Sequence, residues 1–441
     1  MIQVAQIIFI LSVLVILHEF GHYIAAKIFK VRVEKFYLFM DAGFSLFKKK
    51  IGETEWGIGW LPIGGYVKLA GMIDESMDTE QMKQSAQPWE FRSKPAWQRL
   101  IIMLGGIFVN IILALFIYTT LFTTVGQKYV STQVVQKNGL AFGEVGKKVG
   151  FQNGDKIISV DSKPVQQSFN RLIIDVLLSD KIEIERQGQK KNIYLSDEQK
   201  GLILGSEGKN FTGPRFTNTI IDSILPQSEA QKAGLQKGDI IVGIQDKKFK
   251  YYDEFLDGLK AAKKPVKLNV IRQNNEIELQ TNLDKEGKLG IMTLSQLDKK
   301  NLQVVNKLSI TQAIPAAVNE SWQLLVYNVK QFKLILKPKT GAYKQVKSPI
   351  GIARMLPDTW DWEFIWGFTA LFSIGLAFMN LLPIPGLDGG HALFTIVEIV
   401  TGKTLNDKAA GYVQTFGMII LLSLMVLTFG KDIYQLITDK V

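Results

Sequence analysis

The sequence contains no cysteine, which excludes disulfides and thiolate metal ligands while leaving the redox compartment open. Histidine is nearly as scarce. There are three in 441 residues, so a histidine-based metal site would have to use most of them. Basic side chains are absent from the first six residues, and the apolar stretch behind them has no small-residue cleavage site. That stretch is therefore expected to be a retained span rather than a secretory signal. Charge is also sparse in four apolar blocks, Val4–Phe29, Leu100–Val125, Phe364–Leu387 and Tyr412–Phe429. Each is close to the roughly 20 residues a helix needs to cross about 30 Å of hydrocarbon.

Hydrophobic residues make up 47% of the chain, and the net charge is +11. The placement of that charge argues against nucleic acid as a partner. Lys27, Lys30, Arg32, Lys35, Lys48, Lys49, Lys50, Lys68, Lys83, Arg92, Lys94 and Arg99 all lie near or between the first two blocks. The positive-inside rule puts that segment in the cytoplasm. Counting crossings then puts both termini and residues 126–362 outside, and the Thr401–Ala410 loop inside.

The middle of the chain repeats itself. "GKKVGFQNGDKIISVDSKPV" (Gly146–Val165) aligns with "AQKAGLQKGDIIVGIQDKKF" (Ala230–Phe249), so that Gly150 matches Gly234 and Asp155 matches Asp239, about 84 residues on. Strand-like alternation follows each copy, in "KIEIER" and "KNIYL", then in "PVKLNVIR" and "EIELQT". The shared turn resembles the Gly-Leu-x-x-Gly-Asp turn of PDZ domains, with Phe151 in the leucine position of the first copy. Such domains capture extended peptides at a sheet edge. After the repeats, Leu302–Lys337 contains a partly amphipathic helix, expected on the outer membrane surface or against the bundle.

The chemistry-bearing stretch is "VILHEFGHYIAAK" (Val15–Lys27), where His18, Glu19 and His22 form H-E-x-x-H inside an apolar block. On a helix, positions i and i+4 share a face, so both imidazoles can reach one metal, with the glutamate beside it as a general base. Ionisable groups inside a span are costly and mark function. Two histidines leave a tetrahedral zinc short of one protein ligand and an open position. "NLLPIPGLDGGH" (Asn380–His391) supplies Asp388 at the end of the third block, which crosses in the same direction as the first. Both sites therefore fall toward the cytoplasmic side. Pro383 and Pro385 interrupt a helix there, as a wet cavity permits.

H-E-x-x-H in the first span paired with N-x-x-P-x-P-x-x-D-G in a late span resembles the site-2 protease family of intramembrane zinc metalloproteases, in its bacterial branch with two PDZ domains. The likeness covers nearly the whole chain. It implies that His18, His22 and Asp388 ligate zinc, that Glu19 is the general base and that Asn380 holds the substrate backbone. "GETEWGIGWLPIGGYVKLAGM" (Gly52–Met72) is similar to the family's membrane-associated β-hairpin, so Gly64, Gly65 and Tyr66 are expected to bind an unwound substrate. "RLIIMLGGIFVN" (Arg99–Asn110) resembles the family's second-span Gly-Pro-x-x-Asn segment, with Ile107 in place of proline. His391 is expected to support the site rather than act as a fourth ligand.

The expected fold is a polytopic α-helical membrane protein of four spans, with a membrane-associated β-hairpin and two α+β PDZ-like domains. The first span with H-E-x-x-H covers 1–30, the cytoplasmic-side segment with the hairpin 31–98 and the second span 99–125. PDZ-like domains follow over 126–205 and 206–300, then the amphipathic helix and linker over 301–362. The third span with N-x-x-P-x-P-x-x-D-G covers 363–400, and a loop and fourth span cover 401–441. The resemblance implies a zinc endopeptidase of the bacterial inner membrane. Its partners would be the lipid bilayer, single-span membrane proteins such as trimmed anti-sigma factors or remnant signal peptides, and peptide ligands of the PDZ-like domains. Two rival readings are a membrane-anchored zincin acting on soluble proteins and a non-enzymatic PDZ scaffold. The first lacks a sizeable cytoplasmic domain, and the second leaves Glu19 unexplained.

Overall fold

The computed structural model describes residues 2–62, 64–72, 85–206, 210–217, 219–293, 302–403 and 407–438. Lys83, the end of the second expected PDZ-like segment and the middle of the Thr401–Ala410 loop lie outside the described residues. The chain divides into two compact units. One comprises Met1–Gly126, Lys307–Phe332 and Val346–Val441; the other comprises Gln127–Asn306 and Lys333–Gln345.

The first unit contains α1 (Ile2–Ile28), β1 (Val33–Leu38), β2 (Met40–Ile51), β3 (Thr54–Leu61), β4 (Tyr66–Leu69), α2 (Ala96–Thr124) and α3 (Ile310–Ile335, in this unit as far as Phe332). It continues with α4 (Trp362–Leu381), α5 (Asp388–Thr401) and α6 (Asp407–Thr438). Among the described residues, four stretches are long and apolar enough to cross a membrane: α1, α2, α4 and Gly411–Thr438 of α6. In hydrocarbon a chain must satisfy its own amides and carbonyls, so such runs become helices.

Both faces of α1 are largely apolar, and burial rather than hydropathy separates them. Val4, Ile8, Ile16, Phe20 and Ile24 form an exposed row at helical spacing, while Ile10, Leu14, His18, Gly21, His22 and Ala25 turn inward. Lipid is as apolar as leucine, so close packing of small residues joins spans. That is how α1 meets α2. A Cβ on Gly105 would lie 2.6 Å from the carbonyl oxygen of Gly21, and a Cβ on Gly21 would strike the carbonyl of Gly105.

The third block is not one helix. Asp361 caps α4 by accepting from the Glu363 and Phe364 amides at 2.9 and 3.2 Å, and α4 ends at Leu381, before Pro383 and Pro385. After a short turn the chain starts α5 at Asp388, so the expected 363–400 span is a spanning helix followed by a separate 14-residue helix. Gly390 allows the fold-back, since a Cβ there would lie 2.6 Å from the Ile384 carbonyl oxygen. The helix expected after the repeats is α3. Its small face, Ala313 and Ala317, packs with Ala114, Ile117 and Tyr118 of α2 and with Ala370 and Ile374 of α4.

The segment between the first two spans forms a four-stranded sheet in the order β2-β3-β1-β4, which corrects the expected hairpin. The strands around Trp56–Trp60 and Tyr66–Lys68 do not pair with each other, because β1 lies between them, parallel to β3 and antiparallel to β4. The hairpin that does exist joins β2 to β3 and begins at Met40. Strand β4 closes one edge.

In the second unit the repeat extends to topology. The first copy has β5 (Lys156–Val160), β6 (Lys163–Pro164), β7 (Lys181–Arg186) and β8 (Gln189–Tyr194), in the order β8-β7-β5-β6. The second has β9 (Ile240–Ile244), β10 (Lys247–Lys248), β11 (Val266–Arg272) and β12 (Asn275–Thr281), in the equivalent order β10-β9-β11-β12. Helices Phe169–Leu177 and Tyr252–Ala261 occupy matching places, each over its own apolar core. The repeated aspartates explain the shared turn. Buried Asp155 accepts from Arg186 Nε and Nη2 at 2.8 and 2.7 Å, and buried Asp239 accepts from the same atoms of Arg272 at 2.8 Å each. Each arginine also donates to the carbonyl of the turn glycine, Gly150 or Gly234. Both glycines have positive φ, 106° and 77°, a region other residues rarely adopt.

Candidate metal centre

One helical turn separates His18 from His22, and the inward face of α1 carries both rings into the bundle, where they are 7% and 6% exposed. Their Nε2 atoms are 3.3 Å apart. The fold-back between α4 and α5 brings Asp388 to them, with Oδ2 3.1 Å from His18 Nε2 and 3.2 Å from His22 Nε2. Among the described residues this is the only group of three or more His, Cys, Asp or Glu side chains positioned to share an ion.

The donor set fits zinc. Metal–nitrogen and metal–oxygen bonds of about 2.0–2.1 Å in a tetrahedron place ligand atoms about 3.3 Å apart. The three observed edges, 3.1, 3.2 and 3.3 Å, form one such face. Asp388 Oδ2 is buried, with no hydrogen-bond partner beyond its approach to the two rings. An ionised oxygen in that setting calls for a cation.

Helix α2 holds the rings from behind. His22 Nδ1 lies 2.8 Å from the carbonyl oxygen of Ile102, which assigns its N–H to that nitrogen and leaves Nε2 as a lone-pair donor. Gly106, one turn on, makes the approach possible. A Cβ there would lie 2.5 Å from both His18 Cε1 and His22 Nε2.

Asn380, on the last turn of α4, is buried with Nδ2 3.0 Å from His18 Nε2. The carboxylate of Glu19 lies near the backbone amide of Val67, so the side of β4 not paired with β1 faces the glutamate. Gly65 lies against the same helix, where a Cβ would come within 3.6 Å of Glu19 Cγ and 2.6 Å of a Val15 methyl. Gly64 faces open space. Tyr66 is turned away, with its ring stacked on Tyr37 and its hydroxyl donating to Asp41 at 3.0 Å. Burial and that carboxylate push the phenol well above its usual range.

The structure thus gathers His18, His22, Asp388 and Asn380, and sets Glu19 and Gly65 together at the edge of β4. His391, in the first turn of α5, is not part of the cluster. Sequence reasoning assigned no role to Asn110, Gly106 or Val67. The segment likened to Gly-Pro-x-x-Asn was the available signal for Gly106 and Asn110, which hold its glycine and asparagine positions. Backbone contacts such as Ile102 and Val67 leave no signal in side-chain pattern.

The second unit holds a cavity of about 900 Å³ between its two repeats, with Phe142, Phe211, Leu225, Tyr252, Leu256 and Ile291 in its wall. Ion pairs cross it, Lys147–Asp257 at 2.7 Å and Lys260–Glu144 at 3.2 Å.

Comparison with known proteins agrees with this chemistry. The sequence model of peptidase family M50 matches residues 6–424. A Vibrio cholerae protein named as a zinc metalloprotease is 28% identical, with 97% of each chain covered. The regulator of sigma-E protease RseP of Escherichia coli is 28% identical over 98% of this chain and 99% of its own.

Proposed function

The chain belongs to peptidase family M50 and is a zinc metalloendopeptidase, and from that premise we propose that it cuts single-span membrane proteins within their transmembrane segments. The triangle of His18 Nε2, His22 Nε2 and Asp388 Oδ2 carries the reading, because it joins the first span to the fold-back after α4 around one point inside the bundle.

In this reading His18, His22 and Asp388 hold the zinc. When bound, zinc lowers the pKa of a coordinated water toward about 7 and polarises the scissile carbonyl. Glu19 takes the proton of the attacking water and delivers it to the leaving amine. Asn380 anchors the substrate backbone with its carboxamide. A helical substrate hides its carbonyls, so it must be drawn out as a strand, and the unpaired side of β4 offers it a partner. Gly64, Gly65 and the backbone of Tyr66 form the approach to that edge, and the Val67–Glu19 contact supports the assignment by setting the edge next to the base.

The orientation follows from the basic residues between the first two spans. It puts the protein in the bacterial inner membrane with both termini outside and the centre toward the cytoplasm. Aromatic belts mark both membrane interfaces. Phe9, Trp360 and Trp362 cluster at one end of the spans, and Phe29 and Trp97 at the other. The repeats are PDZ-like domains on the outer side that filter substrates, admitting those with outer domains already removed, such as anti-sigma factors or remnant signal peptides. Their matched topology and shared cavity support that role.

The decisive experiment is Glu19→Gln in purified protein with a single-span model substrate. Zinc content is expected to stay near wild type while cleavage disappears, and persisting cleavage refutes the assignment of the base.

A further inference from the structure

The carboxamide of Asn110 is fully buried in α2, and its Oδ1 has no hydrogen-bond partner. Its Nδ2 lies 3.1 Å from Nδ1 of His18. We propose that Asn110 is a positioning residue for zinc, whose carboxamide oxygen holds the Nδ1–H of His18 and so fixes the tautomer that presents Nε2 to the metal. The proposal rests on the ligand set assigned above.

A neutral imidazole carries one N–H. With the carboxamide nitrogen facing Nδ1 the proton would have to sit on Nε2, yet Nε2 also faces the Asn380 amide nitrogen at 3.0 Å, which needs an acceptor there. An Nε2 lone pair offered to a metal would require the proton on Nδ1, and the contact with Asn110 would then need an acceptor. A carboxamide presents oxygen and nitrogen in nearly the same shape, so half a turn brings Oδ1 to Nδ1. The oxygen that otherwise lacks a partner acquires one.

The surroundings suit a fixed support. Buried Ser373 of α4 donates to the backbone carbonyl of Asn110 at 2.7 Å, which ties that turn of α2 in place. Ile102, Gly106 and Asn110 follow at four-residue spacing on one face of α2. The first holds His22 through a carbonyl, the second leaves room for both rings, and the third holds His18. Each histidine is thereby gripped at Nδ1, with Nε2 turned toward Asp388. Partners of this kind raise ligand basicity and set ring orientation.

The test measures zinc affinity of the purified full chain by chelator competition, without substrate. Asn110→Leu is expected to weaken zinc binding about 10–100-fold. Asn110→Asp, which keeps an oxygen in place, is expected to stay within a few-fold of wild type. Gly375→Ala, elsewhere on α4 where an added Cβ meets nothing within 4 Å, should leave affinity unchanged. If the leucine variant does not fold, Asn110→Ala carries the same expected loss. His22→Phe separates the two layers of the argument: retained zinc there would refute the ligand set itself. If His22→Phe loses zinc while the leucine or alanine variant binds as tightly as wild type, the role of Asn110 is overturned. Equal losses in the aspartate and leucine variants would overturn it as well.

Discussion

Replacing Gly106 with alanine adds one methyl group at the point where α2 comes closest to the two histidines. The new Cβ would lie 2.5 Å from His18 Cε1 and from His22 Nε2, whereas ordinary contact begins near 3.4 Å. Relief therefore requires one or both rings to retreat by roughly 1 Å, a typical small overpacking that costs about 1–3 kcal/mol. Neither ring can move freely, because His22 Nδ1 is held by the Ile102 carbonyl at 2.8 Å and His18 Nδ1 by Asn110 at 3.1 Å. Zinc–nitrogen distances tolerate only about 0.2 Å of variation. We expect zinc affinity to fall by about 100-fold or more, at the upper end of losses for groups that orient ligands. Metal retention during chelator titration, read together with cleavage of a model substrate, measures both consequences. Gly375→Ala is the control, since a Cβ there meets nothing within 4 Å. Wild-type zinc affinity in Gly106→Ala, with Gly375→Ala equally unaffected, would refute the steric argument.

Further perturbations probe the other parts. Asp388→Ala removes the only non-histidine donor of the triangle and should sharply lower bound zinc in metal analysis; unchanged metal would take it out of the ligand set. Arg272→Met leaves buried Asp239 without its partner and should destabilise the second repeat by about 3 kcal/mol, visible as faster hydrogen exchange in β9, β11 and β12. Burial alone would raise the Asp239 carboxyl, but the Arg272 guanidinium and the Gln236 amide hold it below the ordinary carboxylate value. Stability from this pair is therefore present above the unfolded pKa near 4 and lost as pH falls through the lower folded value. The methionine variant should begin acid unfolding at higher pH. Gln127 and Asn306 are register partners in an antiparallel pair, so excising 128–305 with a short linker should preserve cleavage of a pre-trimmed substrate while admitting untrimmed ones; loss of cleavage on both would show that the repeats are needed for folding.

Much of the metal centre was legible because its signals are local. The spacing of His18 and His22 maps directly onto one helix face, and the prolines before Asp388 announce broken backbone. The repeats were legible for a similar reason, since their turn needs glycine and aspartate at set positions. Their arginines were not, because Arg186 and Arg272 lie in strands whose polar residues look like ordinary solvent-facing alternation. The sheet of the first unit was misread as a hairpin because sequence order suggests that neighbouring strands pair. Inserting β1 between β3 and β4 is a long-range choice, made where Gly65 lets β4 settle against α1 and leave its other side to β1. The inward face of α1 was obscured because lipid-facing and bundle-facing residues are equally apolar.

The level at which α4 stops has a mechanical consequence for whatever is cut. His18 lies 16 residues from the start of α1 and 10 from its end, which at 1.5 Å per residue is about 24 Å and 15 Å. Asn380 meets it after 18 residues of α4, at a matching level. A spanning helix severed there yields two unequal stumps. On the proposed orientation the outward piece keeps most of its greasy length and stays moored. The inward piece is left with about half of what about 30 Å of hydrocarbon demands, so it drifts off into the cytosol, and a single cut becomes a one-way departure.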